Sequence, residues 1–363
     1  MSPPRPTSFL ALLALLAAAG CGPRLETVES RYPNGRLRTL GQARLPANGA
    51  RLSQGTWSFW YPGGELQATG AYRDGAVPAP GADPQDPVEI PRAGREGQWS
   101  FFAPNGALIE QGTYRAGKKL GTWNGFYEDA SIRFRGGFVD DREEGLHVWW
   151  HASGEKHVKT TYVGGAQHGL RREWDQAGML RRQGEYENGL AVGTHKVWDE
   201  QAVLREQASY VEGELQGERR TWDEYGQLTW AAFFEHGQQH GPFRLYHQNG
   251  DVSQEGRYER GELVGTLTAF DQEGSCTWSY EYRDGAQRGR RIHWYANGRK
   301  RSEGDYVDGL PVGRYGEWHQ NGQMKAFGTY REGRRVGNWH FWRPDGSVDE
   351  RMMERQVADA TSR

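Results

Sequence analysis

Cysteine is almost missing from this chain of 363 residues, which carries only Cys21 and Cys276. If Cys21 is used elsewhere, no disulfide partner remains for Cys276. An excess of either charge sign is missing too: 45 basic residues stand against 47 acidic ones, for a net charge of −2. No basic tail or stripe provides a nucleic-acid footprint. Long apolar runs are lacking. The one clear run, Phe9 to Ala19, has 11 residues and is too short to span a bilayer. The motifs of common chemistries are missing as well: no dinucleotide-binding glycine motif, P-loop, His-Glu-x-x-His or Gly-x-Ser-x-Gly. These absences give no support to a hydrolase or transferase. They lead us to expect a protein that is not an enzyme and has no catalytic residues, metal or cofactor. His236 and His240 are four apart, but a turn expected between them argues against a shared metal. Asp175, Asp199, Asp223 and Asp271 open turns and are explained by bonds to the turn backbone rather than by calcium.

Glycine and aromatic residues dominate what is present. Eleven glycines, from Gly97 to Gly337, recur every 24 residues without a slip. A fixed period in this range marks a stacked-repeat architecture, in which each unit buries its apolar face on its neighbours. With the opening glycine as slot 0, slot 5 is aromatic in every copy: Trp60, Phe102, Phe126, Trp150, Trp174, Trp198, Trp222, Tyr246, Phe270, Trp294, Trp318 and Trp342. Slot 17 is also aromatic, from Tyr72 and Tyr114 to Tyr306 and Tyr330. Slot 11 is mostly apolar, and slot 15 is mostly Gly or Ala. The copy opening at Gly55 fits once an 18-residue insert is removed, and Tyr32-Pro33-Asn34-Gly35 fits as a partial first copy.

Slots 6 to 9 read as turns such as Tyr-Pro-Gly-Gly, Ala-Pro-Asn-Gly or Tyr-Ala-Asn-Gly. Pro33, Pro62, Pro104 and Pro344 take the second turn position, where their fixed φ suits a type I turn. The glycine that follows closes a hairpin with a G1 bulge. A second turn falls at slots 17 to 20, so each unit is two short strands and two tight turns. Parity then predicts that slots 5, 11, 15 and 17 share one buried face. Slots 2 and 12 fall on the opposite, solvated face. Slot 2 is aromatic in Trp57, Trp99, Trp123, Tyr315 and Trp339 but cationic or His in His147, Arg171, His195, Arg219 and Arg291. Extra packing at the ends, or two contact zones joined by a cationic middle, would each explain this. As a meander, roughly 24 strands at ~4.8 Å spacing would extend about 115 Å and coil with the usual strand twist.

The unit resembles the MORN repeat in its bacterial variant. Tyr295-Ala296-Asn297-Gly298, Gly304-Asp305-Tyr306-Val307-Asp308-Gly309 and Gly313 carry the likeness, which extends over about residues 32 to 348. It implies an all-β fold, an elongated array of antiparallel β-hairpins in a twisted open meander. It also implies that the chain holds other proteins; some bacterial relatives carry an antitoxin label. At the N-terminus, Ala18-Ala19-Gly20-Cys21 after the apolar run resembles a bacterial lipobox, with Ala18 where Leu is usual. That resemblance implies lipidation of Cys21. Because Gly22 is not Asp, it also implies the outer membrane as destination.

The expected organisation is a signal peptide (1–20), a lipidated linker (21–31), the repeat array (32–348, with an insert loop at 76–96) and a tail (349–363). The insert holds Pro78, Pro80, Pro84, Pro87 and Pro91 and is expected to be extended and mobile. Ser347 to Glu350 reads as a capping box, starting a short helix whose Met352 and Val357 pack on the last unit near Trp342. Cys276, at apolar slot 11, is expected to be an inert buried thiol. The function expected is a lipid-anchored cell-envelope scaffold that binds an unidentified protein partner, touches the membrane through Cys21 and does not bind nucleic acid. The alternative is an envelope glycan binder, because sugar faces stack on exposed rings. The accessibility of the slot 5 and slot 17 rings discriminates between the two.

Overall fold

The structure is a computed structural model that describes residues 24–46, 49–78, 86–350 and 352. The described residues form 26 β-strands, from Leu25–Arg31 to Arg334–Phe341. They divide into two compact units: the described residues up to Gly121 with Phe126–Ala130, and Thr122–Gly125 with the described residues from Ser131 onward. In the first unit the strands Leu25–Arg31, Leu37–Arg44, Leu52–Trp60, Leu66–Ala76, Arg95–Phe102 and Leu108–Arg115 pair in chain order, each antiparallel to the next. In the second unit the strands from Ile132–Val139 onward continue the same antiparallel hairpin pattern. The expected all-β hairpin array is what forms. The partial first copy is a true hairpin, closed by Tyr32 N–H to Arg36 O at 2.9 Å.

The two turns of each repeat differ. At slots 6 to 10 the fit to the expected G1-bulge turn is close: Gly106 N–H donates to Ala103 O at 2.9 Å, and Gly106 has φ +84°. The second turn is a tighter, two-residue type. Asp308 and Gly309 have φ +51° and +80°, and Val307 pairs directly with Leu310. Both central residues left-handed is the type I′ geometry, which explains the recurring Asn-Gly and Asp-Gly.

The recurrent opening glycine has a mechanical role. All eleven have φ between +64° and +129°. Ala208 pairs with Arg219 and Tyr210 with Leu215, so two steps on one strand oppose four on the next. Gly217 sits in that bulge, in a conformation a side chain would strain.

A second bulge overturns the expected faces. Thr221 pairs with Trp230, but the next residue, Trp222, pairs with Leu228. Slot 12 is the extra residue, and crossing it moves the side chains to the other side. Slots 5 and 11 do pair as expected. They lie opposite slots 13, 15 and 17, and slots 2 and 4 join the latter three. The deep core confirms this. Trp57, Phe59 and Trp99 in the first unit, and Trp123 and His147 in the second, are all 0% exposed, and every one occupies slot 2 or slot 4.

Two local expectations change. The insert is not wholly loose: residues 79–85 lie outside the described residues, but Val88 is buried and its carbonyl accepts from Gln67 Nε2 at 3.0 Å. The carbonyl of Pro91 accepts from Tyr72 Oη and from Arg95 Nε. At the C-terminus Val348 bridges Trp342, and helical geometry begins at Glu350. Asp349, whose carbonyl accepts from Met352 N–H at 3.2 Å, therefore precedes the helix. Ser347 instead stays in the turn, donating to Asp345 at 2.6 Å. Met352 is exposed rather than packed near Trp342. Val357, like Cys21 and the signal segment, lies outside the described residues.

Candidate functional site

The inner face is built from one recurring contact. A slot 2 ring lies flat on the slot 15 residue of the preceding strand. A Cβ placed on Gly70 would stand 2.2 Å from Trp99, one on Gly41 would stand 2.1 Å from Trp57, and one on Gly328 would stand 2.2 Å from Trp339. Slot 15 is small because this ring needs the space. Each indole also donates its N–H to a backbone carbonyl: Trp57 to Gln42 at 2.9 Å, Trp99 to Ala71 at 3.0 Å and Trp339 to Thr329 at 3.2 Å. Slot 17 tyrosines close the box edge-on, as Tyr72 does at 5.0 Å from Trp99 and Tyr330 at 5.0 Å from Trp339. Arg95 crowns the first unit's cluster, 4.7 Å over Trp99 and 5.1 Å over Tyr114, and donates to Tyr114 Oη. Burial pushes the Tyr72 hydroxyl up to about 12, against the lowering effect of Arg95.

Histidine takes the same place in the second unit. His147 Nε2 meets Gly137 O at 2.8 Å and His195 Nε2 meets Glu185 O at 2.9 Å, in the position of the indole N–H. A carbonyl partner requires the proton on Nε2. His147 is enclosed by Phe134, Phe138, Trp149 and Tyr162, with its Nδ1 buried and unpartnered. Desolvation holds its pKa below the ordinary 6.5, against the raising effects of the Gly137 bond and Glu143. His147 is thus a core residue in a tryptophan's role, and the half-buried His195 makes the same contact over Gly184.

On the outer face, all twelve slot 5 rings are half-buried, from Trp60 to Trp342. They do not form the deep core that parity predicted. Slot 11 packs across from them, as Leu180 pairs with Trp174 and Cys276 with Phe270. Cys276 is a half-buried free thiol whose pKa is raised by burial. Slot 3 brings cations beside the rings in four successive repeats: Arg172, Lys196, Arg220 and Arg244. Some are paired, as Arg220 is with Glu218 at 2.6 Å and Arg244 with Glu255 at 3.2 Å.

The turns at slots 6 to 10 tie repeats together. Tyr295 Oη donates to Trp318 O at 2.8 Å, and Asn297 Nδ2 donates to Gln320 O at 2.9 Å. The pattern recurs from Tyr32 to Trp60 O, Asn34 to Pro62 O and Tyr61 to Phe102 O. His151, His247 and His319 replace the tyrosine and reach Trp174, Phe270 and Trp342 carbonyls at 2.8–3.0 Å. The Tyr-x-Asn-Gly signature is therefore an inter-repeat latch. The slot 6 aspartates behave as expected and close their own turns. Asp175 accepts from Ala177 and Met179 N–H, which, with the Arg181 guanidinium, holds its carboxyl below the usual range. His236 and His240 bind different carboxylates, Glu214 and Glu235.

Slot 2 as core was the residue set that parity missed. The signal was present in the repeats themselves: a glycine precedes the ring by 11 residues at Gly136–His147, Gly184–His195, Gly304–Tyr315 and Gly328–Trp339. Each pair is now seen in contact.

Residues 95–116, 167–188 and 239–260 match the sequence model of the MORN repeat variant. Their starts differ by 72 residues (167 − 95 and 239 − 167), which is three periods of 24. Each of these three segments is one hairpin of the array, and in these segments the chain is similar to the MORN repeat variant. No curated protein matches the chain. Among solved structures the chain is similar to a chain of the TcdB2-TccC3-Cdc42 crystal structure, at 10% identity and TM-score 0.13. It is also similar to TcdB2-TccC3 without its hypervariable C-terminal region, at 10% and 0.14. A third is a Tc holotoxin pore from Photorhabdus luminescens, at 11% and 0.13. Each alignment covers 89% of this chain and 23% of the other, so the chain spans about a quarter of those proteins. TM-scores this low bear on neither fold nor function.

Proposed function

We propose that the chain is a non-catalytic, lipid-anchored scaffold of the cell envelope that binds protein partners through the outer face of its repeats. The observation that carries this reading is the run of half-buried slot 5 rings in the second unit, from Trp150 to Trp342, beside which slot 3 cations recur from Arg172 to Arg244. Rings fixed on a hairpin offer large contact area at low entropic cost, and flanking cations add polar reach. The lipid anchor is the acylated Cys21, and the outer membrane is the destination read from Gly22. A single chain holds a protein weakly, whereas several hold it stably. The same half-exposed rings also favour a second reading, stacking on envelope glycan.

Two variants separate these elements. Cys21→Ser should move the protein from the membrane to the soluble periplasmic fraction, and unchanged membrane retention would remove the anchor. A triple Trp174→Ser, Trp198→Ser and Trp222→Ser variant should lose a specific protein that the intact chain retains from envelope extract. Equal retention by both would remove the outer-face surface. Sedimentation of the intact chain, but not of this variant, with purified peptidoglycan would favour the glycan reading.

A further inference from the structure

In the second unit, the repeats opening at Gly169, Gly193 and Gly217 all lack the inter-repeat latch, and their slot 2 residues are polar. Their slot 2 residues are Arg171, His195 and Arg219, where the repeats at Gly241 and Gly337 have the buried rings of Phe243 and Trp339. A cavity of about 290 Å³ opens here, lined by Arg171, Glu173, Arg182, His195, Glu206 and Tyr210. Ion pairs replace apolar packing, Arg171 with Glu173 and Arg219 with Glu206. Such partly exposed pairs contribute little compared with a buried ring.

The latches are missing from the same three repeats. Slot 6 is Asp175, Asp199 and Asp223, and an ionised carboxylate cannot donate to a carbonyl. Each accepts from its own turn instead: Asp199 from Gln201 and Val203, and Asp223 from Tyr225 and Gln227. Slot 8 is Ala177, Gln201 and Tyr225, and among the described residues none of these side chains bonds to the next repeat. The flanking repeats are latched twice over. His151 and Ser153 reach Trp174 O and Gln176 O, at 2.9 and 3.0 Å. His247 and Asn249 reach Phe270 O and Gln272 O, at 3.0 and 2.9 Å. Asp271 is a fourth self-closed turn. It stands alone between latched repeats, and its slot 2 partner is the apolar Leu267.

We propose that residues 169–235 form a compliant joint within the second unit, three repeats that open locally while the latched repeats on either side stay closed. Each lost latch removes two hydrogen bonds between neighbours. At the interface of the Gly193 and Gly217 repeats this coincides with Arg219, rather than a ring, facing Ala208, whereas the interfaces on either side keep the His195 ring over Gly184 and the Phe243 ring against Ala232. Opening free energies within one protein spread from near zero to the global value, and the least-supported segments lie at the low end.

Hydrogen exchange with mass spectrometry on the full chain reads this directly. Amides in Leu204–Val211 and Glu214–Trp222 should exchange at least about tenfold faster than those in Lys300–Val307 and Leu310–Trp318, as loss of two hydrogen bonds per interface implies. Asp175→His with Ala177→Asn installs a latch onto the next repeat and should slow exchange in Leu190–Trp198. In the opposite direction, Tyr295→Phe with Asn297→Asp removes a latch and should speed exchange in Leu310–Trp318, a readout that stands even if the first variant fails to fold. Equal protection of the two regions in the unaltered chain would overturn the joint. A removed latch that leaves exchange unchanged would overturn its cause.

Discussion

The first unit and the middle of the second share a backbone plan but fill it differently. In the first, Trp57 and Trp99 lie on Gly41 and Gly70, Phe59 and Phe101 stack beside them, and the base of the insert packs above Tyr72. In the second, Ala208 faces Arg219 and Gly184 faces His195, and charged pairs occupy the remaining space. The antiparallel pairing and the slot 12 bulge recur in both, at Phe59/Trp60 as at Thr221/Trp222, although the strand Leu66–Ala76 is longer and the insert takes the place of its turn. The hairpin scaffold is therefore specified by glycines and turn residues, while slots 2 and 15 decide how firmly each repeat is held. A repeat array can in this way keep its geometry over a stretch where its core is polar, because nearest neighbours carry the load on either side.

The sharpest way to break this comparison is to delete the same slot in both regions. Trp99→Ala removes a fully buried ring and should destabilise the first unit by about 3–5 kcal/mol. Arg219→Ala, at the equivalent slot of the second, should cost no more than about 1 kcal/mol. Denaturant melts of the two variants measure this, and equal losses would erase the distinction between the regions.

A smaller effect should appear with pH. His147 is buried and its folded-state pKa lies below 6.5, so the unfolded chain takes up the proton first. Stability linked to this residue is then full above about pH 6.5 and falls as pH drops toward the lowered folded value. His147→Trp, which supplies an indole N–H in the same place over Gly136, should flatten that dependence. Thermal melts of both proteins at pH 7.5 and pH 5 test it, and identical slopes would show that His147 does not carry the effect.

Much of the fold was legible because its signals are local. The 24-residue period, the two turns per repeat and the partial copy at Tyr32 all follow from glycine, proline and asparagine placement, and each is found. The faces were not legible by parity, because the extra residue at slot 12 inverts one half of each hairpin, and a bulge leaves no mark on a simple alternation of polar and apolar residues. The latches were visible as Tyr-x-Asn-Gly but not as contacts between repeats, since their acceptors are backbone carbonyls that any residue supplies. The cap at Ser347 failed for a related reason. Asp345 in the preceding turn captures the Ser347 hydroxyl, and the chain runs on two residues before turning helical.

The account rests on slot 2, not slot 5, being the inner core. Hydroxyl-radical footprinting of the intact folded chain, read at each tryptophan by mass spectrometry, tests that most directly. Trp57, Trp99, Trp123 and Trp339 should be strongly protected, while Trp174, Trp198, Trp222 and Trp318 oxidise readily. Protection of the slot 5 rings with oxidation of the slot 2 rings would contradict it and restore the faces that simple alternation assigns.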